Sequence, residues 1–373
     1  MARTFPAQDT SASDWLHLLP KVELHCHLEG SMSPSTVKAL AAEHQADFSG
    51  VWDGAIPDAF SFEDFPDFGR QYLFGLRLLR SDGALVTAID DLAETLASQN
   101  VRHAELTTTA YSHFHGGMSR EHYREELDEG RRLAASRGVS IGWVVDIPRD
   151  LEMPDSTDTI DFLEGSILPD GIVGIGLGGY EVGFPAAPYA EHFRRGRALG
   201  LASLPHAGET EGADSVRQAI DDLGAVRIGH GIRALEDPEL VQRIADAGIF
   251  CEVCPTSNLL LGVVNDLANH PFQALREAGV KVCLNTDDPG WFDTDLHTEL
   301  EIGTNVFGLS PADHVELQLD ALTASFASDD VKAAVRAELR RSDSPPPIHR
   351  LRRKIRWHSP KNFDANVECG GRG

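Results

Sequence analysis

Short apolar runs alternate along the chain with longer segments whose apolar residues recur at helical spacing. The runs are VELHCH (22–27), VRHAELTTT (101–109), IGWVVDI (141–147), GIVGIGL (171–177), LASLPHA (201–207), VRIGHG (226–231), IFCEVCP (249–255) and VKVCLNTDD (280–288). Short apolar runs of this length, recurring with helical stretches between them, predict strands. Segments such as DPELVQRIADAG (237–248) predict helices, with apolar residues at helical spacing and a terminal Gly. Eight strand-then-helix units predict an α/β fold built on a parallel sheet. Closed on itself, that sheet is a (β/α)8 TIM barrel; left open, it is a doubly wound sheet. The interval 28–100 is longer than one connecting helix requires. It predicts extra helices after the first strand, where FEDFPDFGRQYLFGLRLLR (62–80) offers Phe62, Phe65 and Phe68 as an apolar cover for a sugar or base.

The polar residues that interrupt the runs gather at their C-terminal ends, where both architectures bind ligands. His25 and His27 end the first run, His206 the fifth, His230 the sixth, and Asp287 and Asp288 the eighth. Only a barrel brings the first strand beside the eighth. Residues two apart on a strand share a face, so His25 and His27 project together while Cys26 points the other way. A His-x-His pair alone is weak evidence, and His230 before Gly231 could simply satisfy a strand-end carbonyl. Joined by His206 and Asp287, the pair forms a set of three imidazoles and a carboxylate that suits one Zn²⁺ per chain, with room for a water. Such an ion lowers the pKa of bound water from 15.7 to about 7. Glu209, three residues after His206, is then the natural general acid. His230 and Asp288 remain to orient the water and accept its proton. No run ends in Lys, which favours one metal over a pair bridged by a modified Lys.

Composition narrows the partners. The 373 residues carry a formal net charge of −25, which excludes the basic surface that nucleic acids require. No apolar run approaches the ~20 residues of a membrane span, and MARTFPAQDTSASDW lacks a signal-peptide pattern. A cytoplasmic protein with a small-molecule partner is expected, and oligomeric state is not legible. Of the five cysteines, Cys251 and Cys254 form a C-x-x-C with no second pair, so packing rather than a zinc knuckle is expected. Residues 342–373 are Pro-containing and carry seven Lys or Arg against three Asp or Glu, whereas residues 1–341 carry the acid excess. A single domain over 1–341 is expected, with 1–13 and the tail 342–373 disordered.

The stretches PKVELHCHLEGS, RHAEL, GIGLGGYEVG, LPHAGE, RIGHG, CPTSN and LNTDDP occur in this order. Together they make the chain resemble the adenosine deaminase family, a branch of the amidohydrolase barrels. The resemblance implies a Zn²⁺ held by His25, His27, His206 and Asp287. It implies that Glu209 protonates purine N1, that His230 orients the attacking water, and that Asp288 hydrogen-bonds it and later helps ammonia leave. Gly179 matches the glycine whose backbone N–H meets purine N3. A barrel that binds nucleosides without catalysis is the alternative of another class, but such a protein would usually have lost the acid or a metal ligand.

Two positions bear on the substrate. Glu29 stands where family members acting on adenosine usually carry an Asp that reaches the ribose 5′-hydroxyl, and it matches relatives acting on free adenine. GIGLGGYE resembles instead a bacterial subgroup acting on 6-aminopurine nucleosides, including 5′-modified ones such as aminodeoxyfutalosine. A glycine-lined wall leaves room for a sugar. Adenosine or 2′-deoxyadenosine is therefore the first expectation, a 5′-modified nucleoside the second and free adenine the third.

Overall fold

The structure is a computed structural model that describes residues 15–63, 65–150 and 153–342. Its strands are β1 (Lys21–His27), β2 (Val101–Thr108), β3 (Ser140–Pro148), β4 (Ile172–Gly178), β5 (Ala202–Ala207), β6 (Arg227–His230), β7 (Phe250–Val253) and β8 (Lys281–Leu284). They pair in parallel and in sequence order, β1 to β8. An isolated parallel bridge between Cys26 and Asp287 joins the two ends. There the His27 N–H donates to the Asp287 carbonyl at 2.7 Å and the Asp287 N–H to the His25 carbonyl at 3.0 Å. Toward the start of β1, side chains replace the ladder. Asn285 Oδ1 accepts from the Leu24 amide at 3.0 Å, and Gln318 Oε1 from the Val22 amide at 2.7 Å. Buried amides need such partners. β1 and β8 are thus neighbours in a (β/α)8 barrel, and the open sheet does not apply.

The eighth run was expected to stay extended through residue 288, but β8 ends at Leu284. Asp287 has φ 62°, which no strand accommodates. Along β1 the two faces divide as the alternation requires. Val22, Leu24 and Cys26 enter the apolar layers beneath the helices, and Glu23 and His25 are buried on the other face.

The helix Pro238–Ala247 forms where its sequence predicts. Asp237 caps it by accepting from the Glu239 and Leu240 amides, and Gly248 closes it at φ 66°. Its Leu240, Val241 and Ile244 are buried, worth roughly 1.5–3 kcal/mol each when burial is complete. The extra helices after β1 are α1 (Pro34–Glu43), α2 (Phe65–Leu78) and α3 (Ala84–Ser98). A Cβ on Gly75 of α2 would lie 2.5 Å from the Trp291 ring, so the missing side chain lets α2 sit closely over the barrel mouth.

The last described helix is Asp329–Ser342. Residues 1–14 and 343–373, which hold nearly all of the two terminal segments, lie outside the described residues. Cys26, Cys251, Cys254 and Cys283 are free and buried. No described helix is long and apolar enough to cross a membrane.

Candidate active site

Five side chains from β1, β5, β6 and the end of β8 converge at the barrel mouth. Ligand atoms of His25, His206, His230 and Asp287 all lie within 4.8 Å of one another. His27 joins them, its Nε2 3.1 Å from His206 Nε2 and 3.3 Å from Asp287 Oδ1. His230 and Asp287 both have left-handed backbones, with φ 60° and 62°. Such conformations cost about 1–3 kcal/mol each and concentrate at functional sites.

Hydrogen bonds divide the histidines by tautomer. His25 Nδ1–H donates to Glu252 Oε2 at 2.8 Å, and His206 Nδ1–H to the Leu177 carbonyl at 3.1 Å. Each therefore turns an Nε2 lone pair inward, and His25 Nε2 is buried without a hydrogen-bond partner. His230 is set the other way by a chain that starts at a backbone amide. The Phe272 N–H donates to His270 Nδ1 at 3.1 Å, so His270 Nε2 carries the proton. That proton meets Asn258 Oδ1 at 3.2 Å, and Asn258 Nδ2 then donates to His230 Nδ1 at 3.2 Å. Burial pushes both His230 and His270 down to about 4, so both are neutral. His230 is left presenting Nε2–H, 3.7 Å from Glu209 Oε1 and 3.9 Å from Asp287 Oδ2.

Inward lone pairs on His25 and His206, with His27 Nε2 and the Asp287 carboxylate beside them, make these four the candidate ligands. A tetrahedral ion with bonds of about 2.0–2.1 Å spaces its ligands roughly 3.3 Å apart. The separations of 3.1 Å, 3.3 Å and, between His25 Nε2 and Asp287 Oδ1, 3.4 Å fit such an ion. Burial lowers the pKa of His27 and of His206, keeping them in the ligating form. At His25 burial also acts downward, but Asp287 and Glu252 outweigh it and raise the value to about 10. A cation would replace that proton. Asp287 stays ionised, since His25, 3.4 Å away, and the other imidazoles around it outweigh its burial. Ser257 Oγ holds its other oxygen at 2.6 Å.

A cavity of about 490 Å³ opens over the cluster, with Glu209, His230 and Asp288 on its wall. Burial, helped by the Asp287 charge, pushes Glu209 and Asp288 well above the usual carboxyl range. Neighbouring carboxyl groups whose surroundings push their pKa values apart are an arrangement for acid–base work.

A family model for adenosine deaminase matches residues 20–342. The chain belongs to the adenosine deaminase family. It is a hydrolytic, metal-dependent deaminase of the amidohydrolase superfamily, acting on an adenine-type substrate. The aminodeoxyfutalosine deaminase of Streptomyces avermitilis is 38% identical over 86% of this chain and 90% of its own. An adenine deaminase from Arthrobacter aurescens superposes with a TM-score of 0.82 at 29% identity, over 87% of this chain and 98% of that one. An amidohydrolase from Burkholderia ambifaria with bound Zn gives 0.79 at 27%, over 91% and 94%.

Gly179, Phe65 and Phe68 line the cavity. Phe62 does not. It packs edge-on against Phe68 and Phe292, at centroid distances of 5.2 and 6.0 Å. Glu29 is fully buried and also off the cavity wall. Its Oε1 accepts from Thr108 Oγ1 and the Thr109 amide at 2.9 Å and from His113 Nε2 at 3.0 Å. It braces the turn after β2, whose Thr109 and Ser112 do face the cavity.

Other functional positions are not evident from the motifs. Glu181 accepts from the Gly208, Glu209 and Thr210 amides at 3.0, 2.7 and 2.9 Å and from the Ser215 hydroxyl, gripping the turn that carries Glu209. Arg227 links Glu252, at 2.5 Å, to Glu105, at 2.6 Å, inside the barrel. Charged residues amid apolar runs (RHAEL, RIGH, FCEV) were the available signal. Asp146, 2% exposed, lines the cavity with an unpartnered Oδ1.

Proposed function

We propose that this enzyme catalyses zinc-dependent hydrolytic deamination at C6 of a 6-aminopurine nucleoside. We place a 5′-extended nucleoside of the aminodeoxyfutalosine kind first, ahead of adenosine and 2′-deoxyadenosine. The observation that carries this is the cavity. Its 490 Å³ exceeds what a bare purine fills, and its outer wall is apolar, with Phe65, Tyr72, Leu73 and Phe184. Neither Lys nor Arg lines it among the described residues, which argues against a phosphate on the substrate. The Streptomyces relative supports the same order. Free adenine stands last, supported by the likeness to the Arthrobacter adenine deaminase. A cytoplasmic enzyme is supported by the four buried, unpaired thiols.

Each residue has a task in that chemistry. His25, His27, His206 and Asp287 would hold a Zn²⁺, which would supply acidified water at neutral pH. Glu209, protonated because it is buried, donates to purine N1 and draws electron density from C6. The Nε2–H of His230 orients the attacking oxygen. Asp288, whose raised pKa makes its ionised form a strong proton acceptor, takes the water's proton and passes it to the departing amine. The Gly179 amide meets N3, and α2 shields the site from bulk water.

The test is to incubate the zinc-loaded chain with aminodeoxyfutalosine, adenosine, 2′-deoxyadenosine and adenine, following ammonia release. The expected order of kcat/KM is the order proposed. Turnover of adenine alone would reverse it, and no ammonia from any of the four would sink the deaminase reading.

A further inference from the structure

The β3 end of the cavity holds a carboxyl group that neither the metal cluster nor the acid–base residues use. Asp146 is 2% exposed, and no described residue forms an ion pair with it or bonds its Oδ1. Its space is made by a neighbour. A Cβ on Gly178 would lie 2.1 Å from Asp146 Oδ2, so only glycine there lets the carboxyl stand beside β4. Arg149, three residues on, turns its guanidinium elsewhere, 3.5 Å from Glu181 Oε2 and 3.4 Å from the His206 carbonyl. A buried, unpartnered polar atom on a residue that lines a ligand cavity is costly unless a ligand supplies its partner.

The position of Asp146 says which part of a ligand that is. The inference rests on the nucleoside reading above. With C6 over the histidine cluster and N1 at Glu209, the opposite ring edge faces β3 and β4. That edge carries N3 and, next to it, the N9-bound sugar. Gly179, left-handed at φ 91°, meets the base, and Asp146 lies beside the adjacent Gly178. We propose that Asp146 is the ribose subsite, its free oxygen accepting a hydrogen bond from the 2′- or 3′-hydroxyl. Glu29 also keeps an unpartnered oxygen, Oε2, but it lies off the cavity wall, held through Oε1 by three donors from the turn after β2. A site built to pair a hydroxyl rejects the analogue that lacks it, because its own buried group is then left unpaired.

The test removes the hydroxyl and the carboxyl separately and together. Zinc-loaded wild type, Asp146→Ala, Asp146→Asn and Gly178→Ala are assayed with adenosine, 2′-deoxyadenosine and 3′-deoxyadenosine. Wild type is expected to prefer adenosine over the one analogue lacking the engaged hydroxyl by roughly 10–100-fold in kcat/KM. Asp146→Ala abolishes that preference, and Asp146→Asn, which keeps an acceptor, retains part of it. Gly178→Ala, whose methyl displaces the carboxyl, reproduces the loss with Asp146 still present. Calorimetry with inosine and hypoxanthine reads the same subsite without turnover. Asp146→Ala should shrink the inosine-over-hypoxanthine affinity ratio by a similar factor.

A hydroxyl preference that survives in Asp146→Ala, or an unchanged inosine-to-hypoxanthine ratio, overturns the subsite. Wild type indifferent to both hydroxyls overturns it too. A chain that releases no ammonia from any substrate defeats the proposed reaction instead, and the calorimetric ratio still decides on Asp146. Circular dichroism of each variant identifies any that fails to fold, and the variants that do fold then decide on the subsite.

Discussion

His25 Nδ1 lies 2.8 Å from Glu252 Oε2, deep in the barrel, and the same carboxylate is bound by Arg227. The row continues from Arg227 to Glu105 at 2.6 Å and from Glu105 to His103 at 3.3 Å. A carboxylate behind a metal-binding histidine fixes its tautomer and raises its basicity. Glu252→Gln should therefore bind zinc about 10–100-fold more weakly, measured by competition with a chromophoric chelator. Glu252→Ala also strips Arg227 of one of its two buried partners, at a cost of roughly 3–5 kcal/mol in denaturant unfolding. Unchanged zinc affinity in Glu252→Gln would remove Glu252 from this role.

Gly229 of RIGHG sits between two of the histidines. A Cβ there would lie 2.6 Å from His25 Cε1 and 3.2 Å from His206 Cγ. Both rings are buried and cannot retreat into solvent. Gly229→Ala should fold, as judged by circular dichroism, yet purify with well under one zinc per chain by elemental analysis. A full complement of metal would show that the rings can shift.

Glu209 and the residue that positions it should fail differently. Glu209→Gln keeps the shape of the side chain but cannot cycle a proton, so zinc is retained and kcat falls by roughly 10²–10⁴-fold. Glu181→Ala releases three backbone amides around the same turn. Glu209 is then present but misplaced, and kcat should fall by roughly 10–100-fold with zinc still bound. Steady-state kinetics beside metal analysis separates the two; near wild-type turnover in either variant removes that residue from its task.

Acid should weaken the fold through Glu105. Burial alone would raise its pKa, but Arg227 and His103 outweigh it and lower the value from 4.5 to about 2. Between these values the unfolded chain binds more protons than the folded one. The ionised pairing is thus fully stabilising above pH ~4.5 and is lost as pH falls through about 2. It contributes on the order of 3 kcal/mol. Denaturant titrations from pH 7 down to pH 3 should show a decline that is shallower in Glu105→Gln. Parallel profiles for the two proteins would exclude Glu105 as its source.

Chemistry carried by residue type and strand-end placement was legible in the chain itself. HCH, LPHAGE, RIGHG and NTDD name the converging histidines, the acid and the carboxylates, because the donor set and its positions need no distances to be read. Glu29 and Phe62 show the limit. Both lie in stretches that supply the site, yet Glu29 turns to the Thr109 amide and Phe62 packs behind Phe68. Which way a side chain turns depends on neighbours that the local pattern does not contain.

The sequence by itself determined the eight strand-and-helix units, the residue types gathered at the strand ends and the class of reaction. Those follow from periodicity and ligand chemistry, which are local properties of the chain. Tertiary structure alone decided that His230 presents Nε2–H, since its tautomer is set through Asn258 and His270 by the Phe272 amide, 42 positions along the chain. It likewise decided that Glu181 grips the Glu209 turn and that Asp146, rather than Glu29, lines the cavity. Hydrogen-bond partners are assigned by proximity in space, and folding brings together residues that the chain holds far apart.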